Sequence, residues 1–197
     1  MRIIGIEGSP RKNGNTEKLV RSILQGAMDA GHEGRLFKLA DMRISPCLGC
    51  IGCRETGDCV VKDDMTLIYE GIQAADAIVI GSPVYMWQVS AQTKMFMDRL
   101  VPFVKPDFST RLQGEKRLLL CFTQGNPDPQ SFKPYFDYLE KMLAFLHFRV
   151  AGTLVASGTM EKDDIVRQID VLDRAKKMGR SLMLVFDSTY KIPQRCQ

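Results

Sequence analysis

The chain has 197 residues, with 27 Lys or Arg against 23 Asp or Glu, and six cysteines. That length suits one domain able to bury roughly 70% of the surface of its unfolded chain, so it needs no disulfides to fold. Charge spread without a basic block argues against a nucleic-acid partner, and no apolar run approaches the eighteen or so residues that cross a bilayer. The opening Met-Arg-Ile-Ile-Gly-Ile-Glu does not read as a leader. The expectation is a cytoplasmic protein with no membrane partner, where a reducing poise leaves clustered thiols free to bind metal.

Residues 2 to 7 form an apolar run closed by Gly8 and read as a buried strand. Ser9-Pro-Arg-Lys-Asn-Gly-Asn-Thr16 then forms a polar loop. From Glu17 the apolar residues Leu19, Ile23, Ala27 and Ala30 recur at helical intervals. Strand, loop and helix open a βαβ unit. Free N–H groups and the positive dipole end of that helix favour a phosphate, beside Ser9, Asn13, Asn15 and Thr16, and Arg11 and Lys12 add positive charge. The loop is neither a Walker A loop nor G-x-G-x-x-G, and an ordinary polar loop is the alternative.

A second strand is expected at about Arg35 to Leu39, followed by some twenty residues without periodicity, a length that is usually functional. Within them lies Cys47-Leu-Gly-Cys50-Ile-Gly-Cys53-Arg-Glu-Thr-Gly-Asp-Cys59. The spacing C-x2-C-x2-C-x5-C lets one loop wrap a single iron–sulfur cubane, with Gly49, Gly52 and Gly57 allowing sharp bends. A structural zinc usually draws on two separated C-x2-C knuckles. Zinc, or thiols that are merely neighbours, are the alternatives.

Met65, Ile68, Ile72 and Ala75 mark a helix, Ala77 to Gly81 a central parallel strand, and Ser82 to Trp87 the loop after it. Val89 to Leu100 reads as a helix, whereas Pro102 to Lys116 is irregular and carries no assignable role. Leu118 to Phe122 is a further strand with Cys121 as a core residue, followed by the loop Thr123-Gln-Gly-Asn-Pro127. Phe132, Phe136, Leu139, Leu143 and Leu146 give a helix whose aromatic stripe suits core or a subunit interface. Phe148 to Ala156 is the last strand, and Ile165, Ile169, Leu172, Gly179 and Leu182 line the last helix. His32 and His147 lack partners suggesting a catalytic pair, and no general acid or base is assigned.

Five strands alternating with five helices specify an α/β fold, a flavodoxin-like doubly wound five-stranded parallel sheet of order 2-1-3-4-5 with helices on both faces. Residues 1–186 form that domain and residues 187–197 a C-terminal tail, with Cys196 an exposed thiol. In this topology ligands bind at the carboxyl edge, between strands 1 and 3. The loop Ser9–Thr16 would take a phosphate. Pro83, Val84, Tyr85 and Met86 would take one side of an isoalloxazine ring, and Thr123, Gln124 and Gly125 its edge. The cysteine loop follows strand 2 and so leaves the same edge, which suggests electron transfer between two redox groups.

Gly8-Ser-Pro-Arg-Lys-Asn-Gly-Asn-Thr16, the cysteine run ahead of Asp63-Asp64-Met65, Gly81-Ser-Pro-Val-Tyr85 and Lys94-x-Phe-x-Asp-Arg99 together resemble the iron–sulfur flavoprotein family, within the NADPH-dependent FMN reductase-like group. The match covers roughly the first half of the chain. The resemblance implies FMN on Ser9, Arg11, Asn13, Asn15, Thr16, Pro83, Val84 and Tyr85, and a [4Fe–4S] cluster on Cys47, Cys50, Cys53 and Cys59. It also implies a homodimer or homotetramer and a ferredoxin-like electron donor. Met86-Trp87 stands where relatives often carry smaller residues, so access to the ring differs. Two further functions fit the residues. One is a direct NAD(P)H-dependent flavin or quinone reductase without a working cluster. The other is a non-catalytic electron carrier or zinc-stapled module.

Overall fold

The computed structural model describes residues 1–182; the tail 187–197 and Cys196 lie outside the described residues. The long strands are β1 (Arg2–Glu7), β2 (Glu33–Lys38), β3 (Ala77–Tyr85), β5 (Lys116–Thr123) and β6 (Phe148–Ala156), with a two-residue β4 (Gln88–Val89). The long strands lie in the order β2-β1-β3-β5-β6, all parallel, and β4 pairs antiparallel with β3. Leaving β4 aside, this is the expected doubly wound order.

Alternation along the strands divides the core in two. Ile3, Val79, Leu119 and Leu154 pack beneath α1 (Asn15–Met28) and α6 (Ile169–Ser181). Ile4, Ile78, Leu118 and Leu120 pack with Ile68 and Ile72 of α3 (Met65–Ala74), Phe96 of α4 (Ala91–Asp98) and Leu139 and Leu143 of α5 (Lys133–Phe145) on the other face. A further short helix, α2, spans Cys53–Thr56. Helices α1 and α6 cross so closely that a Cβ on Gly179 would lie 1.9 Å from the Ile23 carbonyl oxygen. Only glycine fits there.

Several boundaries differ from the sequence reading. Strand β3 runs on to Tyr85, with Pro83 opposite Thr123, so the segment expected as a loop is the end of a strand. Pro83 is tolerated because the strand end needs no further donor there. Val89 belongs to β4, and α4 begins only at Ala91, capped by Ser90, whose hydroxyl accepts from the Thr93 amide. The last helix does not run from Ile165. A 3₁₀ turn occupies Asp164–Arg167 and α6 starts at Ile169, which is exposed. The break is at Gln168, which leaves the helical region (φ −95°, ψ 65°) while its side chain donates to the Ser157 carbonyl at 2.7 Å.

Candidate active site

The carboxyl ends of β1, β3, β5 and β6 surround a cavity of about 310 Å³. Ser9, Arg11, Asn15 and Thr16 line it from the loop after β1 and the first turn of α1. Pro83, Val84, Tyr85 and Met86 line it from β3, and Thr123, Gln124 and Gly125 from the end of β5. Eleven of the twelve residues expected at the cofactor thus meet at one cavity. Asn13 does not. It takes a left-handed conformation (φ 54°), and its amide donates to Glu17 Oε2 at 2.9 Å.

The start of α1 leaves its first amides free of side-chain caps. The amides of Asn15, Thr16 and Glu17 have no intrahelical acceptor. The N-cap is Gly14, and no side chain caps the helix. All three residues are buried. A buried helix start without a capping partner calls for a ligand. Ser9 is nearly buried, and its hydroxyl accepts from the Arg11 amide.

Other side chains have tasks that the spacing did not reveal. Asn15 Nδ2 donates to the carbonyl of Glu161 at 2.6 Å, and Asn15 Oδ1 accepts from the Ile165 amide. Its side chain therefore pins the segment after β6. Arg11 Nη1 donates to the Met160 carbonyl at 2.8 Å, and Lys18 pairs with Asp163 at 2.6 Å. Thr16 and Thr123 share a hydroxyl hydrogen bond of 2.7 Å across the cavity floor. Gln124 Nε2 donates to the carbonyls of Asn126 and Asp128, leaving its Oε1 buried and unpartnered. Trp87, Asn126, Phe132, Thr159 and Met160 also line the cavity. Trp87 and Asn126 sit in the loops already suspected. Thr159 and Met160 had no local signal, because they reach the cavity only through the contacts of Arg11 and Asn15.

At the cavity rim Tyr85 pairs with Gln88, so Met86 and Trp87 form a two-residue turn. Both have positive φ, 46° and 66°, as a type I′ turn requires. Neither residue is suited to that conformation. Met86 is 80% and Trp87 67% exposed.

The cysteine loop leaves the same edge after β2. Cys47 and Cys50 are exposed, Cys59 is partly covered and Cys53 is buried at the start of α2. Positive φ at Gly49, Ile51 and Gly57 curls the backbone around them. Burial pushes the Cys53 thiol up, and the neighbouring thiols of Cys59, Cys50 and Cys47 push it further. Among the described residues no three His, Cys, Asp or Glu side chains converge on a single metal ion.

The loop is held at its base and at its tip. Arg99 is 1% exposed. Its Nη1 donates to the Ser45 carbonyl (2.8 Å) and Asp63 Oδ2 (2.9 Å), and its Nη2 to the Val61 carbonyl (3.1 Å) and Asp63 Oδ1 (3.2 Å). One guanidinium thus ties together both ends of the loop. The segment with no assignable role supplies the second clasp. Arg111 Nη2 donates to the carbonyls of Arg54 (2.6 Å) and Glu55 (2.9 Å), the free carbonyl end of α2. In return Arg54 donates to the carbonyls of Lys105 and Pro106 and lies 4.4 Å over the Phe108 ring.

Comparison with known proteins gives a consistent answer. Residues 1–157 match the family model described as NADPH-dependent FMN reductase. An iron–sulfur flavoprotein of Methanocaldococcus jannaschii is 48% identical over 190 residues, 92% of this chain and 95% of the relative. An iron–sulfur flavoprotein of Methanosarcina thermophila is 40% identical over 139 residues, 71% of this chain and 73% of that one. Among solved structures, the NAD(P)H:quinone oxidoreductase of Methanothermobacter marburgensis superposes with a TM-score of 0.76 at 17% identity, covering 92% of this chain and 98% of that one. This last likeness shows the shared fold.

Proposed function

The chain belongs to the iron–sulfur flavoprotein, NADPH-dependent FMN reductase-like family and is a flavin-dependent oxidoreductase. From that premise we propose that it passes electrons between a [4Fe–4S] cluster on Cys47, Cys50, Cys53 and Cys59 and FMN in the cavity at the start of α1. The observation that carries this reading is convergence. Residues at the carboxyl ends of four strands line one cavity, and a four-cysteine loop leaves the same sheet edge.

The residues present fit both groups. The uncapped first turn of α1 and the Ser9 hydroxyl suit a phosphate, and the unpartnered Gln124 Oε1 suits a donor on a flavin ring. Four thiols on a loop curled by left-handed residues suit a cubane. When bound, FMN supplies one- and two-electron chemistry and the cluster supplies one-electron storage. The chain's own work is positional. The amides of Asn15 and Thr16 hold the phosphate, Pro83 to Met86 and Thr123 to Gly125 flank the ring, and Arg99 and Arg111 keep the cysteine loop in shape.

The exposed Met86-Trp87 turn leaves the cavity open to a protein or small-molecule donor, here a ferredoxin-like protein. The exposed Tyr138, Met142 and Phe145 of α5, with Phe108 beside Phe145, favour a homodimer or homotetramer. Direct reduction by NAD(P)H is the second reading, which family membership favours. Stopped-flow mixing with NAD(P)H separates the two, since rapid flavin reduction supports only the second.

Protein purified without oxygen should carry about four irons and four sulfides beside one FMN. Cys59→Ser should lose the iron and keep the FMN. Full iron in that variant removes Cys59 from the ligand set, and one FMN with no iron in the parent overturns the cluster.

A further inference from the structure

Glu7 ends β1 directly before the phosphate loop, and its side chain is completely buried. Its Oε1 accepts the Ser9 amide at 2.8 Å, whereas its Oε2 is buried with no partner. Among the described residues its carboxyl forms no ion pair. The groups that face it are Glu17 of α1, Lys38 of β2, Asp41 of the turn after β2 and the buried Cys121 of β5. Lys38, the one cation among them, is engaged elsewhere, 3.2 Å from Glu17 Oε2 and 3.4 Å from Asp41. Glu17 already holds the far end of the loop through the Asn13 amide.

We propose that Glu7 is a positioning residue for the phosphate loop: it fixes the Ser9 amide, and by gaining or losing a proton it sets how strongly a dianionic phosphate is held at the start of α1. This rests on the reading that the FMN phosphate sits there. An ionised Glu7 places a second buried negative charge beside Glu17, behind the amides that face the phosphate. A protonated Glu7 keeps one oxygen for Ser9 without that repulsion. Burial, and to a lesser extent the charges of Glu17 and Asp41, push Glu7 up to about 7 against the opposing Ser9 amide and Lys38, so the exchange falls near neutral pH. A phosphate dianion raises it further. By linkage the phosphate binds more tightly to the protonated form, and affinity falls as pH rises through about 7.

The test is equilibrium ultrafiltration of the full-length chain with FMN, and separately with riboflavin, from about pH 6 to 8.5, for the parent and Glu7→Gln. The glutamine keeps an acceptor for Ser9 and cannot ionise. FMN affinity of the parent relative to the variant should fall about three- to tenfold across that range, and riboflavin should show no such change. A ratio constant with pH overturns the proposal, as does an equal change with riboflavin, which would place the effect in the fold. FMN held no better than riboflavin by either protein overturns the phosphate site itself and the proposal with it. If Glu7→Gln does not fold, calorimetry on the parent decides. At about pH 7.5, where the phosphate is already largely a dianion, FMN binding should take up a fraction of a proton that riboflavin binding does not. Zero uptake or release overturns the proposal.

Discussion

Replacing Asp63 with asparagine isolates the clasp at the base of the cysteine loop. The native carboxylate takes both Arg99 nitrogens and the Ser45 amide at 2.9 Å. The asparagine keeps the shape but is neutral and offers a single acceptor oxygen. Arg99, 1% exposed with its Nε already unpartnered, would then face only neutral acceptors. Breaking a buried pair from one side costs about 3–5 kcal/mol, and the acceptor kept by the amide puts this case near the lower figure, about 3 kcal/mol. Denaturant unfolding at pH 7 should show that loss. Iron per chain should fall further than FMN, because Ser45 and Val61 lose their common anchor. The pH dependence has a defined sign. Burial pushes Asp63 up, and the hydrogen bonds from Arg99 and from the Ser45 and Met65 amides outweigh it and hold the carboxyl below its ordinary value. The stabilisation is therefore present above about pH 3.9 and lost as pH falls through the lowered folded value. The gap between parent and variant, full at pH 7, should close only in that acid limb. A loss under about 1 kcal/mol at pH 7, or a gap that persists to the acid limit, would show that the pair does not hold the loop in this way.

Arg111→Ala should strip α2 of its carbonyl partners and lower iron loading while FMN per chain stays at one, measured on protein prepared without oxygen. Arg111→Lys should fail to rescue it, because an ammonium cannot reproduce the planar fork that reaches two carbonyls on each side. Equal iron in all three proteins would show the clasp to be dispensable. The double change Met86→Asn, Trp87→Gly places residues suited to a type I′ turn and should raise stability by about 1–2 kcal/mol, read as a higher melting temperature of the flavin-free protein. A lower one would mean that the exposed pair packs against another surface in solution.

The alternation of apolar runs with helical periodicity made the fold legible before the structure. It placed β1, β6, α1, α3 and α5 nearly to the residue, and the doubly wound order followed because parallel strands joined by helices have few alternatives. The loop after β1 and the cysteine run stand out for a related reason: the residues that a helix dipole end or a cubane would use lie close together in sequence. Eleven of the twelve expected cofactor residues lie at the cavity for that reason. Asn13, the twelfth, does not line it, and its left-handed turn with the amide on Glu17 leaves no mark in composition.

Features set only by packing lie at longer range. Asn15 is joined to Ile165 across 150 residues, Arg99 to Asp63 across 36 and Arg111 to Arg54 across 57. Such pairs have no period and no fixed spacing. The physical reason is that a buried guanidinium or amide is satisfied by whichever carbonyls the packed sheet and helices bring to it. Local pattern along the chain was enough to mark the sheet, the polar loop at the start of α1 and the four clustered thiols. It took the fold to show that Pro102 to Lys116 braces those thiols, that the segment after β6 closes the cavity, and that Glu7 is buried behind the phosphate loop without a counter-charge.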